Sequence, residues 1–275
     1  MPTTTQNIEE LTSLARGIRR QILKVIHHAG SGHPGGSLSG VDLLTALFFG
    51  GILKYDPKNP KDPGRDRFVL SKGHATGLLY TFLARAGYFP QEDLDSYRKM
   101  NSPRFLSGHP HPKTPGVEIA TGSLGQGLSA GHGMALAARL DGLDYRVYVL
   151  LGDGELQEGQ NYEAAMSAVK FKSRNLIAIV DYNKVCQDNL TKDLKDLEPL
   201  DDKWKAFGWD VHRIDGHDLR QIMEVFQRPL DATRPRVIIA DTIKGKGVSF
   251  MEGKPGWHGV APGDEDLARA LKELE

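Results

Sequence analysis

Between residues 9 and 29, apolar side chains fall at Leu11, Leu14, Ile18, Ile22, Val25 and Ile26. That three-to-four-residue spacing lines one face of an α-helix. The pattern stops at the glycine-rich stretch 30–36 and resumes as a second predicted helix over 39–49. Residues 67–71 make a short buried strand candidate, and 76–86 return to helical spacing. Pro103, Pro110, Pro112 and Pro115 break both periods in the segment 101–116, which is expected to be an ordered loop. Residues 127–140 predict a helix rich in Gly and Ala, suited to tight packing. Strands are then expected at 145–151, 176–181, 210–214 and 237–241, with helices at 158–171 and 219–227.

Strands alternating with helices imply an α/β fold, a mostly parallel sheet flanked by helices on both faces. No internal repeat, low-complexity run or linker interrupts the pattern, so residues 1–275 are expected to form a single domain with a helical N-terminal part.

The 35 basic residues balance 35 acidic ones, which gives no basic footprint for nucleic acid. Cys186 is the only cysteine and cannot form an internal disulfide, which fits a reducing compartment. The first 20 residues lack the apolar core of a signal peptide, and no apolar run approaches the roughly 20 residues that span a bilayer. The expectation is a cytoplasmic protein with no membrane or nucleic-acid partner. Glycine is abundant and clustered, which points to backbone lying against a ligand.

The chemistry begins where the predicted strand 145–151 runs into Gly152-Asp153-Gly154. In an open parallel sheet, ligands bind beyond the carboxyl ends of the strands. Glycine lets a phosphate approach the backbone. The helix that follows offers unpaired N–H groups and a positive dipole end to an anion. Asp153 adds a carboxylate, which beside a diphosphate calls for a divalent cation between them. The next strand ends in Asp181-Tyr182-Asn183-Lys184-Val185, placing Asn183 30 residues after Asp153. One strand–helix–strand unit brings the chain back beside Asp153. The Asn183 amide oxygen and the Val185 carbonyl are neutral donors, and with the carboxylate, two phosphate oxygens and a water they would complete an octahedral Mg²⁺ shell. Read alone, Gly-Asp-Gly is equally an ordinary βα turn. Asn183 at the next strand end tips the balance toward a metal–diphosphate site.

The segment GDGELQEGQNYEAAMSAV with NLIAIVDYN resembles the thiamine-diphosphate fingerprint. Ser31-Gly32-His33-Pro34-Gly35-Gly36, Ser71-Lys72-Gly73-His74-Ala75, Gly108-His109-Pro110 and Gly122-Ser123-Leu124-Gly125-Gln126-Gly127 are similar to transketolase loops. So is the stretch from Lys246-Gly247 to Trp257-His258-Gly259. All run in that family's order. On these motifs the chain is identified as a member of the transketolase group, resembling its diphosphate-binding (PP-type) half. The resemblance implies a transferase of carbohydrate metabolism. It would move a two-carbon ketol unit from a ketose or ketose-phosphate donor to an aldose or aldose-phosphate acceptor, as in pentose phosphate interconversion. Thiamine diphosphate and Mg²⁺ (or Ca²⁺ or Mn²⁺) are the implied cofactors. The family's pyrimidine-binding and C-terminal domains have no counterpart in the sequence. The expected partner is therefore a C-terminal-half transketolase chain, in an α2β2 heterotetramer.

By the same resemblance His33, His74, His109 and His258 line the reaction site, where histidine suits proton transfer near neutral pH. His74 would also approach the diphosphate, and His258 both diphosphate and substrate. Gly122, Ser123, Leu124, Gly152, Asp153, Gly154, Glu155 and Asn183 would contact the cofactor, Leu124 against an apolar ring. Asp153, Asn183 and Val185 would hold the metal. Glu158 and Glu163 match carboxylates at the interface between paired active sites. A histidine in a Gly/Pro loop is by itself more readily a surface residue; four in matching motifs reverse that weighting. His27, His28, His111, His132, His212 and His217 have no such match. Lys244 and Lys246 read as solvated loop residues.

Three positions depart from the family pattern: Ser123 stands for Pro, Trp257 for Ser, and Tyr182 for an acidic residue or Asn. They leave open whether the sugars are pentose phosphates, branched sugars or sulfonated sugars. The competing readings are a deoxyxylulose-phosphate synthase-like chain or 2-oxoacid dehydrogenase α chain, and a noncatalytic relative that only binds a partner.

Overall fold

The computed structural model describes residues 4–275. Its strands are β1 (Arg67–Leu70), β2 (Val147–Gly152), β3 (Leu176–Tyr182), β4 (Asp210–Asp215) and β5 (Arg236–Asp241). They form one sheet in the order β1-β2-β3-β5-β4, parallel at every pairing. The sheet expected to be mostly parallel is wholly so.

Successive side chains on a strand point to opposite faces. Tyr148, Leu150, Ile177, Ile179 and Ile238 enter one core, together with the helices Ile8–Ala29, Val41–Phe49, Thr76–Arg85 and Leu219–Gln227. Val147, Val149, Leu151, Ala178, Val180, Val237 and Ile239 enter the other, under the helices Gln126–Leu140, Gly159–Lys170 and Leu200–Phe207. With both faces covered, the central strands read as continuous apolar runs rather than alternating ones.

The small residues of Gln126–Leu140 serve close packing: a Cβ on Gly131 would sit 2.4 Å from Val149 Cγ2. The first helix starts on an Asn7 cap and ends at Gly30 in the left-handed region. The glycine stretch where the first helical pattern stops leads into a short helix, Pro34–Ser39, with Pro34 at the first turn where its missing N–H costs nothing. The helices Leu200–Phe207 and Asp264–Glu273 were not anticipated from the sequence. Among the described residues no helix is long and apolar enough to cross a membrane.

Candidate functional site

A cavity of about 310 Å³ opens at the carboxyl edge of the sheet. Lys72 reaches it from the turn after β1, Asp153, Gly154, Glu155, Gln157 and Glu158 from the turn after β2, Asn183, Val185, Cys186 and Gln187 from the turn after β3, and Lys244 from the turn after β5. The parallel register pairs Gly152 with Asp181, so the turns that carry Asp153 and Asn183 lie side by side.

Asp153 is 2% exposed. Its Oδ1 accepts from the Gly154 N–H at 2.8 Å, and its Oδ2 from the Lys184 N–H at 2.5 Å and the Thr191 hydroxyl at 3.2 Å. Burial pushes its carboxyl pKa up to about 6, and the nearby Asp181 carboxylate adds to the effect. Asn183 Oδ1 accepts from the Val185 N–H at 3.2 Å. Asp181 itself is fully buried but satisfied. It pairs with the Lys72 ammonium and accepts from the Ser39 and Thr242 hydroxyls. Burial works to raise its pKa, and Lys72 and the hydroxyls hold it below the usual range. Among the described residues Asp153 has no such ion-pair partner. Among the described residues no cluster of three or more His, Cys, Asp or Glu could hold a metal. A cation here would instead draw on one carboxylate, the Asn183 amide oxygen and the Val185 carbonyl.

His33, His74 and His258 form a triangle with ring centroids 5.1–5.2 Å apart. Burial lowers His33 to about 4, helped by the positive charge of Arg98. Burial and then Lys244 bring His258 down to about 3. Burial and then Lys72 hold His74 well below the ordinary value. All three rings are therefore neutral at pH 7. His258 Nδ1 receives a hydrogen bond from Lys244 Nζ at 2.9 Å, which leaves the ring proton on Nε2. His33 Nδ1 is buried and has no hydrogen-bond partner among the described residues.

Of the other residues singled out from the sequence, Gly122, Leu124, Gly154, Glu155 and Glu158 line the cavity. Glu155 spends its carboxylate on the Ser71 hydroxyl and on the N–H groups of Gly125 and Gly152, and so ties three loops together. His109 is exposed at the rim, its ring so close to Gly122 that a Cβ there would lie 2.3 Å from His109 Cδ2. Ser123 and Glu163 are exposed and outside the lining.

Lys244 corrects the sequence reading. It was expected in solvent, yet it is 3% exposed and its ammonium donates to the Val185 carbonyl at 2.9 Å. Burial lowers its pKa to about 8, against the pull of Asp153. Its position just beyond the end of β5, on the same sheet edge as Asp153, was the available signal. Lys246 does remain partly exposed, 3.6 Å from Glu252. Lys72, Cys186 and Gln187 also line the cavity without having been assigned a role from the sequence.

Residues 11–274 match the family described as transketolase, thiamine diphosphate binding domain. An apulose-4-phosphate transketolase subunit of Actinobacillus succinogenes is 45% identical over 271 residues, covering 97% of this chain and 96% of that protein. The 6-deoxy-6-sulfo-D-fructose transketolase subunit SqwG of Clostridium sp. is 46% identical over 268 residues, covering 97% and 96%. The crystal structure of transketolase from Campylobacter jejuni aligns with a TM-score of 0.91 at 38% identity, over 98% of this chain. This chain spans only 43% of that one, so it matches the two subunits nearly end to end but less than half of the longer enzyme. A parallel sheet with its cavity at the carboxyl edge, and a family match over nearly the whole sequence, agree: the chain belongs to the transketolase family and corresponds to its thiamine diphosphate binding domain.

Proposed function

We propose that this chain is the diphosphate-binding component of a split transketolase, with residues 1–275 acting as one domain. The observation that carries the reading is the meeting, in one cavity, of a buried carboxylate without a cation partner and three neutral histidines. The fit to the cofactor rests on two features. Asp153, Asn183 and Val185 present three oxygens at adjacent strand ends, and the buried His33 Nδ1 has no protein partner.

When bound, thiamine diphosphate supplies the carbon nucleophile that carries a two-carbon unit between sugars, and Mg²⁺ (or Ca²⁺ or Mn²⁺) neutralises its phosphates. Asp153, Asn183 and the Val185 carbonyl hold the metal. Gly152, Gly154, Gly122 and Leu124 give the cofactor close approach, with Ser123 and Glu155 beside them. His74, His258 and the Lys244 ammonium face the diphosphate. His33, His74, His109 and His258 hold and move protons at the sugar carbonyl and hydroxyls. The three buried rings are neutral at pH 7, and His258, its Nδ1 taken by Lys244, presents its Nε2–H as a donor. Glu158 at the rim and Glu163 beyond it belong to the contact between paired active sites.

The two relatives matched almost end to end are both named as transketolase subunits, which supports a partner chain here. That partner would supply the pyrimidine-binding and C-terminal domains in an α2β2 assembly in the cytoplasm. Those relatives' names include apulose-4-phosphate and 6-deoxy-6-sulfo-D-fructose, which favours a sugar phosphate or sulfonated ketose as donor. The test is calorimetric titration of thiamine diphosphate with and without Mg²⁺, into the wild type and Asp153→Ala. Binding should require Mg²⁺ and vanish in the variant. Wild-type affinity in Asp153→Ala would remove the metal assignment.

A further inference from the structure

The segment that follows β5 brings both Lys244 and His258 to the cavity, and its backbone is held from outside the cavity. The Ile243 N–H donates to His217 Nε2 at 2.8 Å. The Lys246 carbonyl accepts from Arg19 Nε at 3.1 Å. The Gly245 N–H donates to the Gly35 carbonyl at 3.0 Å. The first two contacts converge on one carboxylate. Asp42 accepts from Arg19 Nη1 at 3.0 Å and Nη2 at 2.6 Å, and from His217 Nδ1 at 2.7 Å.

Three separate elements meet there: the helix Ile8–Ala29, the helix Val41–Phe49 and the turn after β4. The side chains of Arg19, Asp42 and His217 are only 8–11% exposed. Burial works to raise the Asp42 carboxyl, and the His217 hydrogen bond with the Arg19 charge outweighs it, so Asp42 stays ionised. An ionised Asp42 fixes the His217 proton on Nδ1, which leaves Nε2 as the acceptor the Ile243 amide needs. None of the three lines the cavity.

We propose that His217, oriented by Asp42 and Arg19, is a positioning residue that sets the segment carrying Lys244 and His258, and through it the grip on the cofactor's diphosphate. Only the effect on cofactor affinity rests on the function proposed above. Lysine has a flexible stem, so its ammonium reaches the Val185 carbonyl reliably only if the backbone at its root is fixed.

Two readouts on the full chain test this. One is amide hydrogen exchange over residues 242–259 without ligand. The other is the Kd for thiamine diphosphate with Mg²⁺. His217→Phe keeps a ring and loses both hydrogen bonds; His217→Gln keeps one donor and one acceptor. In the Phe variant, exchange at Ile243 and Gly245 should rise about tenfold or more, and affinity should fall about tenfold, with β2 and β3 amides unchanged. The Gln variant should recover most of both. Unchanged exchange in the Phe variant, unchanged affinity despite a loosened segment, or a Gln variant no better than Phe would each overturn the proposal. Should β2 and β3 amides also exchange fast in the Phe variant, Arg19→Lys decides. It retains the charge beside Asp42 but loses the guanidinium Nε donor to Lys246, so exchange around residue 246 and Kd should both rise, and no change in either overturns the proposal. If the wild type binds no thiamine diphosphate with Mg²⁺, the proposed function fails, while the exchange data still decide whether His217 fixes the segment.

Discussion

Lys244 Nζ and His258 Nδ1 lie 2.9 Å apart, and the same ammonium reaches the Val185 carbonyl at 2.9 Å. One cation thus touches both a proposed proton-transfer residue and a proposed metal ligand. Replacing it separates anion binding from folding. Hydrogen bonds to charged groups contribute about 1.5–3 kcal/mol, or roughly 10- to 100-fold in affinity. Lys244→Met should therefore weaken thiamine diphosphate by about that factor, with the melting temperature within a few degrees of wild type. Calorimetry and thermal unfolding on the same preparations check it, and full affinity in the variant would remove Lys244 from the diphosphate site.

The His33 pKa makes a pH prediction with a defined sign. The folded value is about 4 against 6.5 for the free side chain, mainly through burial. Between those values the unfolded chain binds a proton that the folded chain does not, so stability falls as pH drops below 6.5 and levels off near 4. His33→Gln removes this contribution, so its stability should decline less steeply over that window. Denaturant unfolding at several pH values measures the slope. Parallel profiles for the two proteins would contradict a neutral, buried His33.

His109 stands apart because it is exposed at the rim. With the partner chain present, His109→Ala should lower kcat by about 10²- to 10⁴-fold, the usual range for a general acid–base residue, with no change in melting temperature. Full turnover in the variant would take His109 out of the proposed mechanism.

The sheet was legible because apolar runs of strand length alternated with helical periods, and the end of the run 145–151 at Gly152-Asp153-Gly154 gave the position of the site. The cavity-lining histidines were found because each sits in its own motif. Lys244 was missed because a lysine in a Gly-rich segment looks solvated; Gly35 against its stem and the Val185 carbonyl and His258 ring around its ammonium are brought there only by the fold. His217 was missed for a related reason. Its partners Asp42 and Ile243 are 175 and 26 residues away along the chain, so no local pattern links them. Helix Asp264–Glu273 was legible and overlooked: Leu267, Ala270, Leu271 and Leu274 fall at helical spacing behind the acidic first turn Asp264, Glu265 and Asp266.

Gly35 provides a packing test. A Cβ there would lie 2.9 Å from the Trp257 carbonyl and 3.0 Å from Lys244 Cγ, both in the segment that carries Lys244 and His258. Overpacking of this kind costs about 1–3 kcal/mol. Gly35→Ala should lower stability by that order and weaken thiamine diphosphate together with it, as the segment shifts outward. Unfolding free energy and Kd measured side by side check the linkage. A variant with wild-type values for both would show that the contact is slack.

As proposed, this chain holds the diphosphate end of a cofactor whose reactive end needs another chain. The direct measurement is a ketol-transfer assay, with sugar-phosphate and sulfonated ketose donors, on this chain purified alone and again after adding a C-terminal-half transketolase chain from the same organism. The isolated chain should give no turnover, and mixing should give turnover that saturates at equal numbers of the two chains. Full activity from the isolated chain, or none from the mixture with thiamine diphosphate and Mg²⁺ present, would contradict the proposal.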